Sequence, residues 1–120
     1  MQTAKLQRIT VAALEDIKGH DIEVINTTKL TSMFDRIIIA SADSTRQVKA
    51  LARNVREKVE EAGGDVIGVE GEDSGEWVLV DLGSIVVHVM QPAVRNYYNL
   101  EELWQTKPPK RARGGDEAAG

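Results

Sequence analysis

Residues 76–90, EWVLVDLGSIVVHVM, read as a β-hairpin whose two arms meet at a turn formed by Gly83 and Ser84. Directly opposed residues of an antiparallel pair share a face, so this turn divides the arms into two sets. One face is purely aliphatic and consists of Val78, Val80, Leu82, Ile85, Val87 and Val89. The other face consists of Trp77, Leu79, Asp81, Val86, His88 and Met90. We therefore expect the aliphatic face to lie against the core of the domain.

The second face of the hairpin poses a question, because a hairpin that packs on one side should carry polar residues on the other. Here that side is mostly apolar and includes Trp77, one of only two tryptophans in the chain. Leaving such a ring in water would forgo a large burial of apolar area. Three possibilities remain for what buries this face: the chain's own C-terminal helix, a second copy of the chain, or another protein. Tryptophan and methionine are enriched at the cores of protein interfaces, which favours a partner.

Length and composition indicate one compact domain. The chain has 120 residues, of which 42% are hydrophobic and 28% charged, and this suits a single modest core. No stretch approaches the roughly 20 consecutive apolar residues that a transmembrane helix requires, and the N-terminus lacks a signal-peptide pattern. The absence of cysteine excludes disulfide frameworks, zinc ribbons and thiol catalysis. We therefore expect a cytoplasmic protein with no membrane contact.

Charge is distributed unevenly along the chain. Residues 107–120, KPPKRARGGDEAAG, are rich in proline, glycine and basic residues, and we expect them to form a disordered tail after a folded domain at 1–106. Removing the four basic and two acidic side chains of the tail from the totals of 15 and 19 leaves 11 and 17, a net charge of −6. An acidic body is a poor match for nucleic acid and a better one for a basic protein. Arg111 and Arg113 leave an incidental contact of the tail with nucleic acid open.

Apolar periodicity predicts the element order α-β-β-α-β-β-β-α, an α/β (α+β) domain with one mixed sheet of about five strands. In the clearest element, the second helix, Ser44 and Gln47 match a capping box, with Asp43 as an alternative cap. Its apolar stripe consists of Val48, Leu51, Ala52, Val55 and Val59. A first helix is expected over residues 4–18, and a C-terminal helix, or helix plus turn, over 94–104. Strands before the hairpin are expected at 21–26, 33–41 and 65–71.

Asp81 and His88 are the candidate catalytic groups on the hairpin, but neither has an evident partner. Acid–base or two-metal catalysis needs a second fixed carboxylate or ligand, and the stretch VLVDLG contains no D-x-D pair. The other histidine, His20, follows the first helix, and nothing in the pattern places it near His88. Glycine pairs at 63–64 and 114–115 match neither a phosphate-binding loop nor a dinucleotide fingerprint. The sequence thus predicts no catalysis, no metal and no cofactor.

Three stretches together resemble the Iojap-like ribosomal silencing factor family, over roughly residues 5–104. They are FDRIIIASADSTRQVKALA at 34–52, VEGEDSGEWVLVDLGSIVVHVM at 69–90, and Arg95-x-x-Tyr98-x-Leu100-Glu101-x-Leu103-Trp104. The resemblance implies a domain similar to the nucleotidyltransferase core, without that class's catalytic carboxylates. It also implies a translation repressor that docks on the large ribosomal subunit through large-subunit protein L-fourteen. There it would block joining of the small subunit when nutrients are short.

Carried onto this chain, the resemblance implies a partner-binding surface on the hairpin and next to it. The implied contact residues are Trp77, Leu79, Asp81, Val86, His88, Met90 and Tyr98. The chain departs from the family at Gly83-Ser84, where Gly-Asp is common, and at Pro92-Ala93, where acidic residues are common. Both departures remove negative charge near a basic partner. Two alternatives stay open: a nucleotide-binding or nucleotidyltransferase-like enzyme, and a homodimer that uses the same hairpin face.

Overall fold

The computed structural model describes residues 1–104, so the predicted boundary at 106 and the predicted tail at 107–120 lie outside the described part. The helices are α1 (Thr3–Asp16), α2 (Thr45–Glu61), α3 (Pro92–Tyr98) and α4 (Leu100–Leu103). The strands are β1 (His20–Asn26), β2 (Arg36–Ser41), β3 (Gly68–Glu70), β4 (Trp77–Asp81) and β5 (Ile85–Met90). The predicted order is confirmed, with the last helix divided in two.

The five strands form one mixed sheet in the order β1-β2-β5-β4-β3. The central strands β2 and β5 are parallel, and every other neighbouring pair is antiparallel. The predicted hairpin register is confirmed from Trp77 opposite Met90 to Asp81 opposite Val86. The α+β class with a mixed five-stranded sheet is therefore confirmed as well. In this order β5 is the central strand, and β4 lies between β5 and the edge strand β3.

Helices α1 and α2 cover the aliphatic face of the hairpin, as its composition predicted. The six aliphatic hairpin residues and the five-residue stripe of α2 belong to one buried cluster. Burial of this apolar area is the main force that holds the helices on the sheet. Ser44 caps α2, because its Oγ accepts a hydrogen bond from the backbone N–H of Gln47 at 3.1 Å. The Gln47 side chain in turn accepts from the backbone N–H of Asp43 at 3.0 Å.

Two helix ends differ from the predicted ones for local reasons. Helix α1 ends at Asp16 and not at residue 18, because Ile17 leaves helical geometry and Lys18 adopts a left-handed conformation with φ 63°. The backbone N–H of Gly19 then bonds the carbonyl of Leu14 at 2.8 Å. At the C-terminal end, Asn99 adopts φ 51° and ψ 54°, and this left-handed residue separates α3 from α4. The chain turns there and lies back over the sheet.

Candidate functional site

Alternation along the strands brings the predicted hairpin residues together on the sheet face opposite α1 and α2. Neighbouring strands add to this face in rows across the sheet. In one row Ile39 lies next to His88, and His88 lies opposite Leu79. In the next row Ile37 lies next to Val86, and Val86 lies opposite Asp81. The face is therefore a continuous surface of three strands.

The chain's own C-terminal helices cover one part of this face. Ile37, Ile39 and Met90 are buried there, and Phe34, Trp77, Val94, Leu100 and Trp104 pack around them. The ring of Trp104 lies edge-on to Phe34 with 5.5 Å between their centroids. Met90, one of the predicted contact residues, is fully buried beneath the C-terminal helices, so its side chain has no exposed surface in this structure. The first of the three possibilities thus accounts for part of the anomaly.

The rest of the face remains open as a depression of about 520 Å³ between β3 and α4, which we call the hairpin depression. It is lined by Met33, Phe34, Ile37, Ile67, Glu70, Leu79, Asp81, Gly83, Val86, His88 and Trp104. Met33 and Ile67 stand at its rim with 79% and 68% of their surface exposed. An open apolar concavity with acidic side chains at one edge has the form of a protein-binding site.

Trp77 and Tyr98 border the covered part of the face. The ring centroid of Trp77 lies 4.8 Å from that of Tyr98, which is 55% exposed. The indole Nε1–H of Trp77 donates a hydrogen bond to Nδ1 of His88 at 3.0 Å. Trp77 is thus partly buried and held on two sides, while Tyr98 offers an accessible aromatic surface. This contact fixes the orientation of both Trp77 and His88.

His88 is buried, and burial lowers its pKa to about 4 from the ordinary value of 6.5. The imidazole is consequently neutral near pH 7. Because Nδ1 accepts from Trp77, the neutral ring carries its proton on Nε2. The Nε2–H group is therefore the one hydrogen-bond donor that the His88 ring can offer to a partner in the hairpin depression.

Asp81 has a structural role in addition to its negative charge. Its Oδ1 accepts a hydrogen bond from the backbone N–H of Gly83 at 2.9 Å, which stabilises the hairpin turn. Gly83 has a φ of 89°, a left-handed conformation that suits glycine.

The described part of the chain, residues 1–104, contains no group of three or more His, Cys, Asp or Glu side chains arranged to hold a metal ion. The second acidic residue that lines the hairpin depression, Glu70, lies on β3 opposite Leu79.

Arg95 belongs to the third stretch that resembles the family, but the sequence alone does not indicate what its side chain does. Its buried guanidinium joins four elements by donating to the carbonyl of Asp21 at 2.6 Å and to Ser41 Oγ at 2.8 Å. It also pairs with Glu101 Oε2 at 2.8 Å and with Glu23 at 3.6 Å. Arg95 therefore ties α3 and α4 to β1 and β2. These contacts fix the position of the segment that borders the hairpin depression.

Sequence reasoning also missed several residues that line the hairpin depression from outside the hairpin. Met33 and Phe34 precede β2, Ile67 precedes β3, and Trp104 follows α4. Met33 and Ile67 are exposed apolar residues, but only the order of the strands in the sheet shows that they belong to this face. None of the helices within residues 1–104 has the length and apolar character of a membrane-spanning segment.

Comparison with known families gives a match along nearly the whole chain. The family described as "Ribosomal silencing factor during starvation" matches residues 1–119. A ribosomal silencing factor of Chromobacterium violaceum is 55% identical over 114 residues, which cover 95% of this chain and 93% of the relative. One from Bacillus subtilis is 38% identical and covers 90% of this chain and 92% of the relative. A mouse protein named for mitochondrial assembly of the ribosomal large subunit is 32% identical, over 78% of this chain and 42% of its own length.

Solved structures show the same fold. A crystal structure of a Chromobacterium violaceum protein superposes with a TM-score of 0.86 at 55% identity, covering 95% of each chain. A Bacillus halodurans crystal structure superposes with a TM-score of 0.78 at 34% identity, covering 89% of this chain and all of the other. At these identities the likeness extends from the fold to the family.

Proposed function

The chain belongs to the ribosomal silencing factor family, a family of ribosome-associated regulators of translation, and we propose that it represses translation by steric occupancy of the large ribosomal subunit. It binds the large subunit through ribosomal protein L-fourteen, and its bound body fills space that the small subunit must occupy. Repression then follows the fraction of large subunits that carry the protein. No covalent chemistry is needed for this effect.

One observation carries the proposal: the hairpin depression is an open, largely apolar surface on the sheet face that α1 and α2 leave uncovered, with the exposed side chains of Met33 and Ile67 at its rim. Leu79 and Val86 form its floor, and Asp81 and Glu70 lie along its edge. This combination suits a partner with an apolar projection flanked by basic side chains. Tyr98 extends the contact on the far side of Trp77. Among the predicted contact residues, the accessible ones carry the contact: Trp77, Leu79, Asp81, Val86 and Tyr98.

A joining assay tests the function directly. Separated large and small subunits are mixed in magnesium buffer with increasing amounts of the protein, and associated ribosomes are resolved by gradient sedimentation. We expect the associated fraction to fall when the protein is incubated first with large subunits. Incubation first with small subunits, followed by removal of unbound protein, should have no effect. Full association at saturating protein would contradict steric blocking.

The two alternatives make different predictions. A nucleotidyltransferase-like enzyme would bind nucleoside triphosphate and magnesium, so calorimetry with these ligands should give no heat if the present proposal is right. A homodimer on the same face would show a mass that doubles with concentration, and Val86→Lys would abolish the doubling. If L-fourteen is the docking partner, the isolated ribosomal protein should bind the chain and should compete with large subunits for it.

A further inference from the structure

The exposed flank of α2 carries four basic side chains that docking through the hairpin depression does not use. Arg46, Lys49, Arg53 and Arg56 follow one another at intervals of three, four and three residues, so they lie on one face of the helix. We call this set the basic stripe. It extends over about 15 Å of the helix, because the rise is about 1.5 Å per residue. Arg46 and Arg53 are exposed, and Lys49 and Arg56 are partly buried.

The basic stripe faces away from both packing partners of α2. The buried residues of α2 lie against the sheet. Gln47 and Asn54 mark the flank that meets α1, because their side-chain amides donate to backbone carbonyls at the C-terminal end of α1 and within it, at 3.0 and 2.7 Å. The stripe lies on the opposite flank, next to the turn between β3 and β4. There Gly75 packs so closely that a Cβ added to it would lie 2.8 Å from Cε of Lys49.

Most of the basic stripe is not neutralised within the domain. Arg56 lies 3.6 Å from Glu72 of the neighbouring turn. Within residues 1–104, Arg46, Lys49 and Arg53 form no ion pair with an acidic side chain. The net charge over residues 1–106 is −6, counted from 11 basic and 17 acidic side chains. Positive charge therefore predominates over the first three turns of this flank of α2, and the exposed acids Glu57 and Glu60 follow it toward the C-terminal end of the helix.

We propose that the basic stripe is a second contact surface, which binds backbone phosphates of ribosomal RNA on the side of the sheet opposite the hairpin depression. This inference rests on the proposed function, because it takes the large subunit as the partner. Ribosomal RNA presents a dense array of phosphates, and exposed arginines in a row are matched to such an array by charge and by hydrogen-bonding geometry. The stripe contributes affinity and orientation, and the hairpin depression contributes selectivity for its protein partner.

The test compares two double variants that each remove two exposed positive charges from a helix. Arg46→Gln with Arg53→Gln alters the basic stripe, and Lys5→Gln with Arg8→Gln alters α1 as the matched control. Each variant is titrated against intact large subunits and against protein-free large-subunit ribosomal RNA, over a series of salt concentrations. Loss of two phosphate contacts should weaken binding about tenfold at 0.15 M salt and reduce the log–log salt slope by about 1.5. The control should match the unaltered protein.

Each outcome decides one of the two proposals. Equal behaviour of the two variants, or no change in affinity and slope, overturns the RNA contact. Weaker binding to intact subunits with unchanged binding to free ribosomal RNA also overturns it, and identifies an acidic ribosomal protein as the partner of the stripe. If the unaltered protein binds free RNA through the stripe but fails to bind intact large subunits, the proposed function fails, whereas the assignment of the stripe as a phosphate-binding surface is retained.

Discussion

The indole Nε1–H of Trp77 donates a hydrogen bond to Nδ1 of His88 at 3.0 Å, across the strand pair β4–β5. The bond requires a neutral imidazole, since a protonated ring has no acceptor at Nδ1. Burial provides this condition by lowering the pKa of His88 to about 4. The pair is thus a polar contact inside an apolar face, and its state depends on pH.

Domain stability should fall as the pH is lowered through the range that this pKa defines. The unfolded chain takes up a proton at His88 near pH 6.5, whereas the folded chain does so only near pH 4. The contribution of His88 to the unfolding free energy is therefore complete above pH 6.5, the pKa in the unfolded chain. It decreases as the pH falls toward the folded-state pKa of about 4, and the loss is roughly 2 kcal/mol at pH 5. Urea denaturation at pH 8, 6.5 and 5 measures it.

His88→Gln is the matched control for this pH dependence, because glutamine can accept from the indole but does not titrate. As the pH falls, the unaltered protein should lose more unfolding free energy than His88→Gln does. The difference between these two proteins should therefore become smaller. His20 is present in both proteins, and its pKa is raised mainly by its hydrogen bond to Asp43 and then by that to Asp21. A titration of His88 by NMR that gives an ordinary pKa would contradict the account.

Trp77→Ala should destabilise the fold, since the ring packs against Tyr98 and the buried cluster around Met90. The ring is only partly buried, so we expect a loss of about 2 kcal/mol, below the range for fully buried aromatic residues. Trp77→Phe retains most of the packing and leaves Nδ1 of His88 without its donor, which costs about 1 kcal/mol. Urea denaturation distinguishes the two variants. Unchanged stability in Trp77→Ala would mean that the ring does not pack as described.

Arg95→Met should destabilise the domain by roughly 3 kcal/mol, because it leaves the carboxylate of Glu101 partly buried without its cation. Adding Glu101→Gln to Arg95→Met should restore much of the loss, since the uncompensated charge is then removed. A double-mutant cycle in urea measures this coupling. Simple additivity of the two single changes would show that the ion pair does not hold α4 in place.

Much of the fold could be predicted from the sequence because its strongest signals are local. The hairpin register follows from a two-residue turn and strict alternation, and α2 from one apolar stripe with a capping box at Ser44. The sequence named the C-terminal helix as one possible cover for this face but could not decide among the three, because α3 and α4 are short and break at Asn99. Their position depends on the contacts of Arg95 with residues 54 and 74 positions away in the chain. Periodicity within one element carries no information about such contacts.

The candidate site was predicted in part for the same reason. Alternation alone places Leu79, Asp81 and Val86 on a common face, which the structure bears out. The rim residues Met33 and Ile67 reach this face from loops before β2 and β3, and the strand order that brings them there includes a parallel pairing of distant segments. Long-range pairing of this kind is set by the whole core and not by local pattern.

Asp81→Asn should weaken binding to large subunits about threefold at low salt, with a smaller effect as salt rises. Asparagine retains an oxygen that can accept from the N–H of Gly83, so the turn and the melting temperature should be preserved. Asp73→Asn, an equal change of charge in the exposed turn before β4, is the control and should bind normally. Equal affinity of all three proteins at low salt would remove Asp81 from the contact.

If the hairpin depression docks on the large subunit, Val86→Lys should abolish binding. Val86 is partly exposed on the floor of the depression, where a lysine introduces a charge and bulk without reaching the core. Val24→Lys places the same change on another partly exposed strand position, outside the lining of the depression, and serves as the control.

The measurement is gradient cosedimentation of each folded protein with separated large and small subunits. We expect the unaltered protein and Val24→Lys to migrate with the large subunit alone, and Val86→Lys to stay at the top of the gradient. Migration of Val86→Lys with large subunits at unaltered affinity, or migration of the unaltered protein with small subunits alone, would contradict this expectation.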